Sequence, residues 1–150
     1  MVKALIVYDS LYGNTEKIAK ALALGLESGG VDVDVVKVDS VKFDKMNNVD
    51  LLCVGSPVHG WNASKPMQKF LEHLNDVEHL SDGKAFAFDT KMKSRLAGSA
   101  GRKIEKKLKN LGFMIVKPNE SAIVKGREGP LEESAEETFR QIGVELAEML

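Results

Sequence analysis

Short apolar runs alternate along this chain with segments in which apolar residues recur every three or four positions. The runs predict strands at residues 3–8, 31–38, 51–55 and 84–88, with a final pair around 114–116 and 122–124. The periodic segments predict four helices, whose apolar faces comprise Ile18, Ala19, Leu22 and Leu26; Met67, Phe70, Leu71 and Leu74; Ala97, Ala100, Ile104, Leu108 and Leu111; and Ala135, Phe139, Ile142 and Leu146. Residues 40–48 predict a loop or one weak helical turn.

This strict alternation of strand and helix predicts an α/β fold in which helices cover both faces of a parallel sheet. Right-handed crossovers then give a doubly wound sheet of five strands, and the 150 residues suit a single domain spanning 1–150. In such folds ligands bind beyond the carboxyl ends of the strands, where the strand order reverses. We therefore expect the loops after strands one, three and four to carry the chemistry.

The first of these loops has the composition of a phosphate-binding turn. It leads directly into the first helix and comprises Ser10, Leu11, Tyr12, Gly13, Asn14 and Thr15. Unpaired backbone N–H groups and the helix dipole favour a phosphate at a helix N-terminus, and hydroxyl and amide side chains add donors. The alternative is an ordinary helix that Asn14 or Thr15 caps. The chain contains neither GxxxxGK[ST] nor GxGxxG, so nucleoside-triphosphate and dinucleotide loops are not indicated.

The run from Ser10 to Thr15 resembles the phosphate loop of flavodoxins, which holds the phosphate of flavin mononucleotide (FMN). The family pattern ends in Gly-Asn-Thr, as at residues 13–15, and Tyr12 occupies the looser position before it. The resemblance covers essentially the whole chain and is to short-chain members, because strand five carries no long insertion. It implies strand order 2-1-3-4-5, FMN as the cofactor and a role in electron transfer.

The loop after strand three is similar to the second flavin-binding loop of the same family. It supplies the candidate cofactor-binding residues Ser56, Pro57, Val58, His59, Gly60, Trp61 and Asn62. Trp61 is expected either to stack on the flavin ring or to anchor its own loop. His59 is expected either to be solvated or to lie beside the flavin, where its protonation would tune the charge near the ring.

The loop after strand four departs from the family pattern. Its candidate cofactor-binding residues are Asp89, Thr90 and Lys91, but it lacks the aromatic residue that the family places on the outer face of the flavin. It carries cations instead, at Lys91, Lys93 and Arg95. Cations near the fully reduced, anionic flavin would stabilise it and make its second reduction step less negative. The alternatives are that these cations bind the phosphates of a nicotinamide cofactor or face solvent.

The charge distribution and the cysteine and histidine residues reduce the number of functions that the sequence allows. The net charge is −1, but residues 84–127 carry +9 and residues 128–150 carry −6, and the basic region favours acidic partner proteins. The single cysteine, Cys53, excludes an internal disulfide, and no signal-peptide or membrane-span pattern is evident, so we expect a cytoplasmic protein. His73 and His79 lack a second ligand at metal spacing. No metal, membrane or nucleic-acid partner is expected.

The sequence shows no nucleophile–base pair and no carboxylate pair, so the chemistry is expected to belong to a bound cofactor. The favoured prediction is an FMN-binding electron carrier that shuttles one or two electrons between redox partner proteins, from a reductase or iron–sulfur donor to an acceptor enzyme. One alternative is an FMN-dependent NAD(P)H:quinone oxidoreductase, although the long insertions that usually build its substrate pocket are missing. The other alternative is a module of the same fold that binds no flavin.

Overall fold

The computed structural model describes residues 1–77, 83–94 and 98–150. Within these residues the elements follow one another as β1 (Lys3–Tyr8), α1 (Asn14–Ser28), β2 (Asp32–Lys37), β3 (Leu51–His59), β4 (Asn62–Ala63), α2 (Lys65–His73), β5 (Lys84–Met92), α3 (Ala100–Asn110), β6 (Met114–Ile115), β7 (Glu120–Val124) and α4 (Ala135–Glu148). Short 3-10 turns occupy Val38–Ser40, Phe43–Asn48 and Leu74–Asp76. The predictions made for His79, Arg95 and Ala97 lie outside the described residues.

The central sheet is parallel, and its strand order confirms the predicted doubly wound topology. The order is β2-β1-β3-β5-β6, and β7 pairs with the other half of β5. β6 pairs with Lys84 and Ala85 of β5, and β7 pairs with the stretch from Phe88 to Met92. Together β6 and β7 therefore occupy the position of the predicted fifth strand, separated by a short interruption.

Two buried clusters, one on each face of the sheet, explain why the strands are almost continuously apolar. Successive side chains of a strand point to opposite faces, so Ile6 packs in one cluster and Val7 in the other. The Ile6 cluster includes side chains of α1 and α4, among them Phe139. The Val7 cluster includes side chains of α2 and α3, among them Met67 and Ile104. The helices thus cover both faces, as the periodicity predicts.

Two strands are longer than the sequence predicts. β3 continues through Ser56 to His59 and β5 continues through Asp89 to Met92, so these candidate site residues lie on strand extensions rather than in loops. The extensions stay extended because each has partners: β5 pairs with β3 as far as Pro57 and with β7 as far as Met92. The carboxyl ends of β1, β3 and β5 consequently project the functional residues at one edge of the sheet.

Candidate functional site

A cleft of about 140 Å³ opens at the carboxyl ends of β1, β3 and β5. It is lined by Ser10, Leu11, Tyr12, Asn14, Thr15, Pro57, Val58, His59, Thr90, Lys91, Met92, Val124 and Arg127. We call residues 10–15 with the loop at 125–130 the helix end of this cleft. We call residues 57–62 with residues 90–92 its hairpin end.

The helix end is a tight turn that curls back on itself. Gly13 adopts φ +88°, a left-handed conformation that residues with a side chain rarely take. The N–H of Gly13 donates to Ser10 Oγ at 3.0 Å, and the N–H of Ser10 donates to Asp9 Oδ1 at 3.0 Å. These two bonds fix the turn before any ligand binds.

The N-terminus of α1 offers a row of backbone donors to this turn. Within the residues that the structure describes, no protein acceptor receives the N–H groups of Leu11, Tyr12, Asn14, Thr15 and Glu16. The helix begins without a side-chain cap, so the alternative of an ordinary helix capped by Asn14 or Thr15 is wrong. The helix dipole places partial positive charge at these donors. Such an arrangement binds anions, phosphate above all.

The side chains of Asn14 and Thr15 fasten the helix end to its neighbours instead of capping the helix. Asn14 Nδ2 donates to the backbone oxygen of Glu128 at 3.2 Å. The hydroxyls of Thr15 and Thr90 lie 2.8 Å apart, and both side chains are buried. The turn is therefore joined both to the 125–130 loop and to β5.

The one acidic residue in the first turn of α1 is held by other partners. Glu16 accepts hydrogen bonds from Lys20 at 2.9 Å and from Tyr8 at 3.2 Å, and in that order they lower the pKa of its carboxyl. Burial first, and the Glu16 carboxylate second, raise the pKa of Tyr8. The Glu16 carboxylate does not line the cleft.

At the hairpin end, β3 turns back through two residues with positive φ. Gly60 has φ +56° and Trp61 has φ +66°, and the flanking residues His59 and Asn62 pair in antiparallel fashion. Left-handed conformations at both central positions are typical of a type I′ turn, whose twist suits a two-residue hairpin. Glycine adopts this conformation freely, whereas for a tryptophan it is unusual and costs energy. The orientation of the Trp61 side chain therefore depends on an unfavourable backbone conformation at this residue.

Trp61 does not itself line the cleft, and it is 61% exposed. It forms an isolated bridge with Gly98, and a Cβ added to Gly98 would lie 2.6 Å from Trp61 Cδ1 and 2.8 Å from its Cα. Lys91 Nζ donates to the Gly98 backbone oxygen at 3.5 Å. This close approach supports the prediction that Trp61 anchors its own loop. Stacking of the Trp61 ring on a flavin stays a prediction.

Asp89, a predicted cofactor-binding residue, faces away from the cleft. Its carboxylate is fully buried, and Oδ2 accepts hydrogen bonds from Ser99 Oγ and from the N–H groups of Ala100 and Gly101 at 3.1, 3.0 and 2.8 Å. A carboxylate at a helix N-terminus satisfies unpaired donors and complements the dipole. The position of Asp89 thus indicates that it holds α3 against β5.

Ser56 likewise positions the hairpin rather than lining the cleft. Its Oγ donates to the Pro57 oxygen at 2.8 Å and accepts from the N–H of Ser64 at 2.9 Å. Ser64 in turn donates through its hydroxyl to Asp9 Oδ2 and caps α2 by accepting from the N–H of Met67. These hydrogen bonds connect Asp9, which precedes the helix end, to Pro57 at the hairpin end.

The structure brings ten of the sixteen predicted site residues to the cleft. The other six do not line it: Gly13, Ser56, Gly60, Trp61, Asn62 and Asp89. Three lining residues were not predicted, namely Met92, Val124 and Arg127. The alternation of β5 could have indicated Met92, because Thr90 and Met92 lie two positions apart on one strand. No local signal points to Arg127, whose position depends on the contact of its loop with Asn14.

Other candidate chemistry is sparse in the part of the chain that the structure describes. Those residues contain no group of three or more His, Cys, Asp and Glu side chains placed to hold a metal ion. Among them, too, no helix is long and apolar enough to cross a membrane. Cys53 is buried in β3, and burial raises the pKa of its thiol far above the ordinary value, so it is an unreactive core residue.

Comparison with known proteins assigns the family. Residues 6–142 match the family model described as Flavodoxin. The chain belongs to the flavodoxin family. A flavodoxin of Aquifex aeolicus is 32% identical, over 99% of this chain and 86% of its own length. The solved structure of a flavodoxin from the domain Archaea superposes with a TM-score of 0.84 at 26% identity, over 99% of this chain and 98% of that one.

The chain also matches part of a longer protein. An uncharacterized protein of Methanocaldococcus jannaschii is 35% identical over 119 residues, which are 76% of this chain, and the match spans only 29% of that relative's length. Flavodoxins bind FMN, transfer electrons and interact with redox partner proteins. The predicted family is therefore confirmed for this chain.

The residues at the cleft fit FMN. The helix end offers unpaired backbone donors and hydroxyl groups, which is the donor set that a phosphate monoester requires. The hairpin end offers apolar surface from Pro57, Val58 and Met92 beside the polar groups of His59 and Lys91, as the edge of a heteroaromatic ring system requires.

Proposed function

We propose that this protein is an electron carrier that binds FMN in the cleft, with the phosphate at the helix end and the ring system at the hairpin end. The row of unpaired N–H groups at the start of α1 carries the proposal, because it matches a terminal phosphate and is fixed in place by its neighbours. FMN would supply the redox chemistry, while the protein sets its orientation and potential. Residues 1–150 are proposed to form a single domain for this task.

The size of the cleft supports a carrier. Its volume of about 140 Å³ is below the roughly 300–1,000 Å³ of pockets that enclose a drug-sized ligand. A bound flavin would therefore keep part of its ring accessible at the hairpin end, beside the exposed side chains of Trp61 and Met92. An accessible ring edge permits electron transfer to a protein that docks only briefly.

The proposed partners are redox proteins with an acidic docking surface, one a reductase or iron–sulfur donor and the other an acceptor enzyme. Helix α3 begins two residues after Gly98, which contacts Trp61, so the helix adjoins the hairpin end. Its cations are Arg102, Lys103, Lys106, Lys107 and Lys109. Its single acid, Glu105, is half-buried and accepts from the N–H of Asn119. Opposite charges would accelerate docking, and salt would slow it.

A cytoplasmic location is part of this proposal. It is supported by the single cysteine, which is buried and forms no disulfide.

The test is the visible spectrum of the purified protein, reconstituted with FMN, during reductive titration. The proposal expects one bound flavin whose absorbance is lost in two one-electron steps, with slow reduction by NADPH alone. Rapid bleaching by NADPH followed by turnover with a quinone would favour the oxidoreductase alternative. Protein that stays colourless and leaves FMN fluorescence unquenched would favour the flavin-free module.

A further inference from the structure

We infer that Arg127 selects for the phosphate of the flavin: the loop at 125–130 brings this guanidinium to the helix end, where it favours FMN over a flavin without phosphate. The inference rests on the proposed function, because it requires the FMN phosphate to lie at the helix end. It goes beyond the motif at residues 10–15, which offers only neutral donors to a phosphate.

The loop that carries Arg127 is fastened at both ends and at its centre. The N–H of Lys125 donates to the Pro130 oxygen at 2.8 Å, and the N–H of Gly129 donates to the Gly126 oxygen at 3.0 Å. The centre is held by the bond from Asn14 Nδ2 to the Glu128 oxygen at 3.2 Å. The loop is thereby tied to the first residue of α1, and Arg127 lies within it.

The loop and α1 are packed too closely at Gly129 to admit a side chain there. Gly129 has φ +108°, and a Cβ added there would lie 2.9 Å from Asn14 Oδ1. The loop approaches Asn14 this closely only because residue 129 lacks a side chain. The distance between the backbone of this loop and the N-terminus of α1 is therefore set by packing.

The guanidinium of Arg127 has no ion pair among the residues that the structure describes, yet its side chain lines the cleft. Arg140, in contrast, donates through Nε and Nη2 to both carboxylate oxygens of Glu137 at 2.9 and 2.7 Å. The backbone oxygen of Glu128, the residue after Arg127, is occupied by Asn14. Arg127 therefore keeps its donors available for an anion.

The chemistry of the phosphate explains why a cation matters at this place. A phosphate monoester carries a charge of about −1.5 to −2 at pH 7. The helix N-terminus supplies partial charge of roughly half a unit, so it compensates that charge only in part. A guanidinium is always protonated and presents a planar fork that matches two phosphate oxygens. Riboflavin has the same ring without the phosphate and would gain nothing from Arg127.

The experiment measures the Kd of FMN and of riboflavin for the apoprotein by quenching of flavin fluorescence, in the wild type and three variants. Arg127→Gln removes the charge, and Arg127→Lys keeps it without the fork. Lys125→Gln is the matched control, because Lys125 lies in the same loop but does not line the cleft. Arg127→Gln is expected to raise the Kd of FMN about tenfold and to leave the Kd of riboflavin unchanged. Arg127→Lys should fall between, and Lys125→Gln should match the wild type.

Thermal unfolding of each apoprotein shows whether a variant binds FMN more weakly because it is unfolded or because the contact between residue 127 and the phosphate is lost. An unchanged Kd of FMN in Arg127→Gln would overturn the inference while leaving the proposed function intact. Equal weakening of FMN and riboflavin would also overturn it, because Arg127 would then act on the ring or on the shape of the cleft. A wild-type protein that binds neither flavin would overturn the proposed function, and this inference with it.

Discussion

The two ends of the cleft are built on different principles. The helix end presents backbone groups of α1, and hydrogen bonds that involve the side chains of Ser10, Asn14 and Thr15 hold it in one conformation. The hairpin end presents side chains on a turn with unfavourable backbone geometry, of which Trp61 is largely exposed. A fixed row of donors suits tight binding of an unchanging group such as a phosphate. An exposed turn flanked by a cation suits a ring whose charge changes. The comparison indicates that affinity is set mainly at the helix end and potential mainly at the hairpin end.

The largest expected effect concerns the support beneath the hairpin end. Asp89→Ala would leave three donors at the start of α3 without their buried acceptor. The free energy of unfolding should fall by about 3 kcal/mol or more, because each unsatisfied buried donor costs roughly 1–3 kcal/mol. Urea unfolding of the apoprotein measures this, with Asp44→Ala, an exposed acid, as the control. A stable Asp89→Ala protein that fails to bind FMN would show that Asp89 is a ligand contact after all.

At the helix end, Thr15→Val should weaken FMN binding about 10- to 100-fold, since hydrogen bonds to charged groups contribute roughly 1.5–3 kcal/mol. The variant also leaves the buried Thr90 hydroxyl without its partner, so the apoprotein should lose about 1–3 kcal/mol of stability. Fluorescence titration and urea unfolding measure the two effects. Thr138→Val on α4, where the threonine is exposed, should change neither. Unchanged FMN affinity in Thr15→Val would show that the Thr15 hydroxyl does not contribute to phosphate binding.

The contact between Trp61 and Gly98 can be tested by adding a single methyl group. Gly98→Ala places a Cβ against Trp61 at a residue with φ +75°, so we expect a loss of about 1–2 kcal/mol in stability and a shift of the tryptophan emission. Trp61 is the only tryptophan in the chain, so its emission reports on the hairpin alone. Gly126→Ala is the matched control, because its Cβ would meet the Gly129 oxygen at an ordinary 3.4 Å. Identical emission in both variants would mean that Trp61 is not anchored at Gly98.

The smallest expected effect is on the redox potential. Lys91 lines the cleft, whereas Lys93 is exposed and does not. Lys91→Gln should lower the potential of the second one-electron step of bound FMN by about 40 mV, which corresponds to roughly 1 kcal/mol for a partly solvated charge. Lys93→Gln should lower it less. Potentiometric titration of both proteins decides the matter. If neutral replacement of Lys91, Lys93 and Arg95 together leaves the potential unchanged, the cations do not tune the flavin.

Much of the fold was predictable because its determinants are local. Apolar runs and helical periods predict the elements, and the chain order of strand and helix then restricts the topology. The extensions of β3 and β5 were missed, because Ser56 and Asp89 look like loop residues until both neighbouring strands are in place. A local sequence pattern does not contain the partners that keep them extended.

The candidate site was predictable in part, for the same reason. Residues 10–15 form a continuous motif, so the helix end could be recognised from the sequence. Asp89 is predicted to bind the cofactor because it follows the fourth strand, and the sequence carries no sign that its carboxylate bonds to a helix that begins eleven residues later. Arg127 is absent from the predicted site residues, because the position of its loop depends on a hydrogen bond between residues 114 positions apart. Long-range contacts of this kind leave no local signal.

The central claim is that the unpaired backbone donors of α1 bind the FMN phosphate, and amide NMR tests it most directly. In the ¹⁵N-labelled apoprotein, FMN should shift the amide signals of Leu11, Tyr12, Asn14, Thr15 and Glu16 strongly downfield, because these groups gain a charged acceptor. Riboflavin should leave them near their unbound positions while still shifting the signals of residues 58–62 and 90–92. Equal shifts with both flavins, or FMN-induced shifts that spare residues 11–16, would contradict the account.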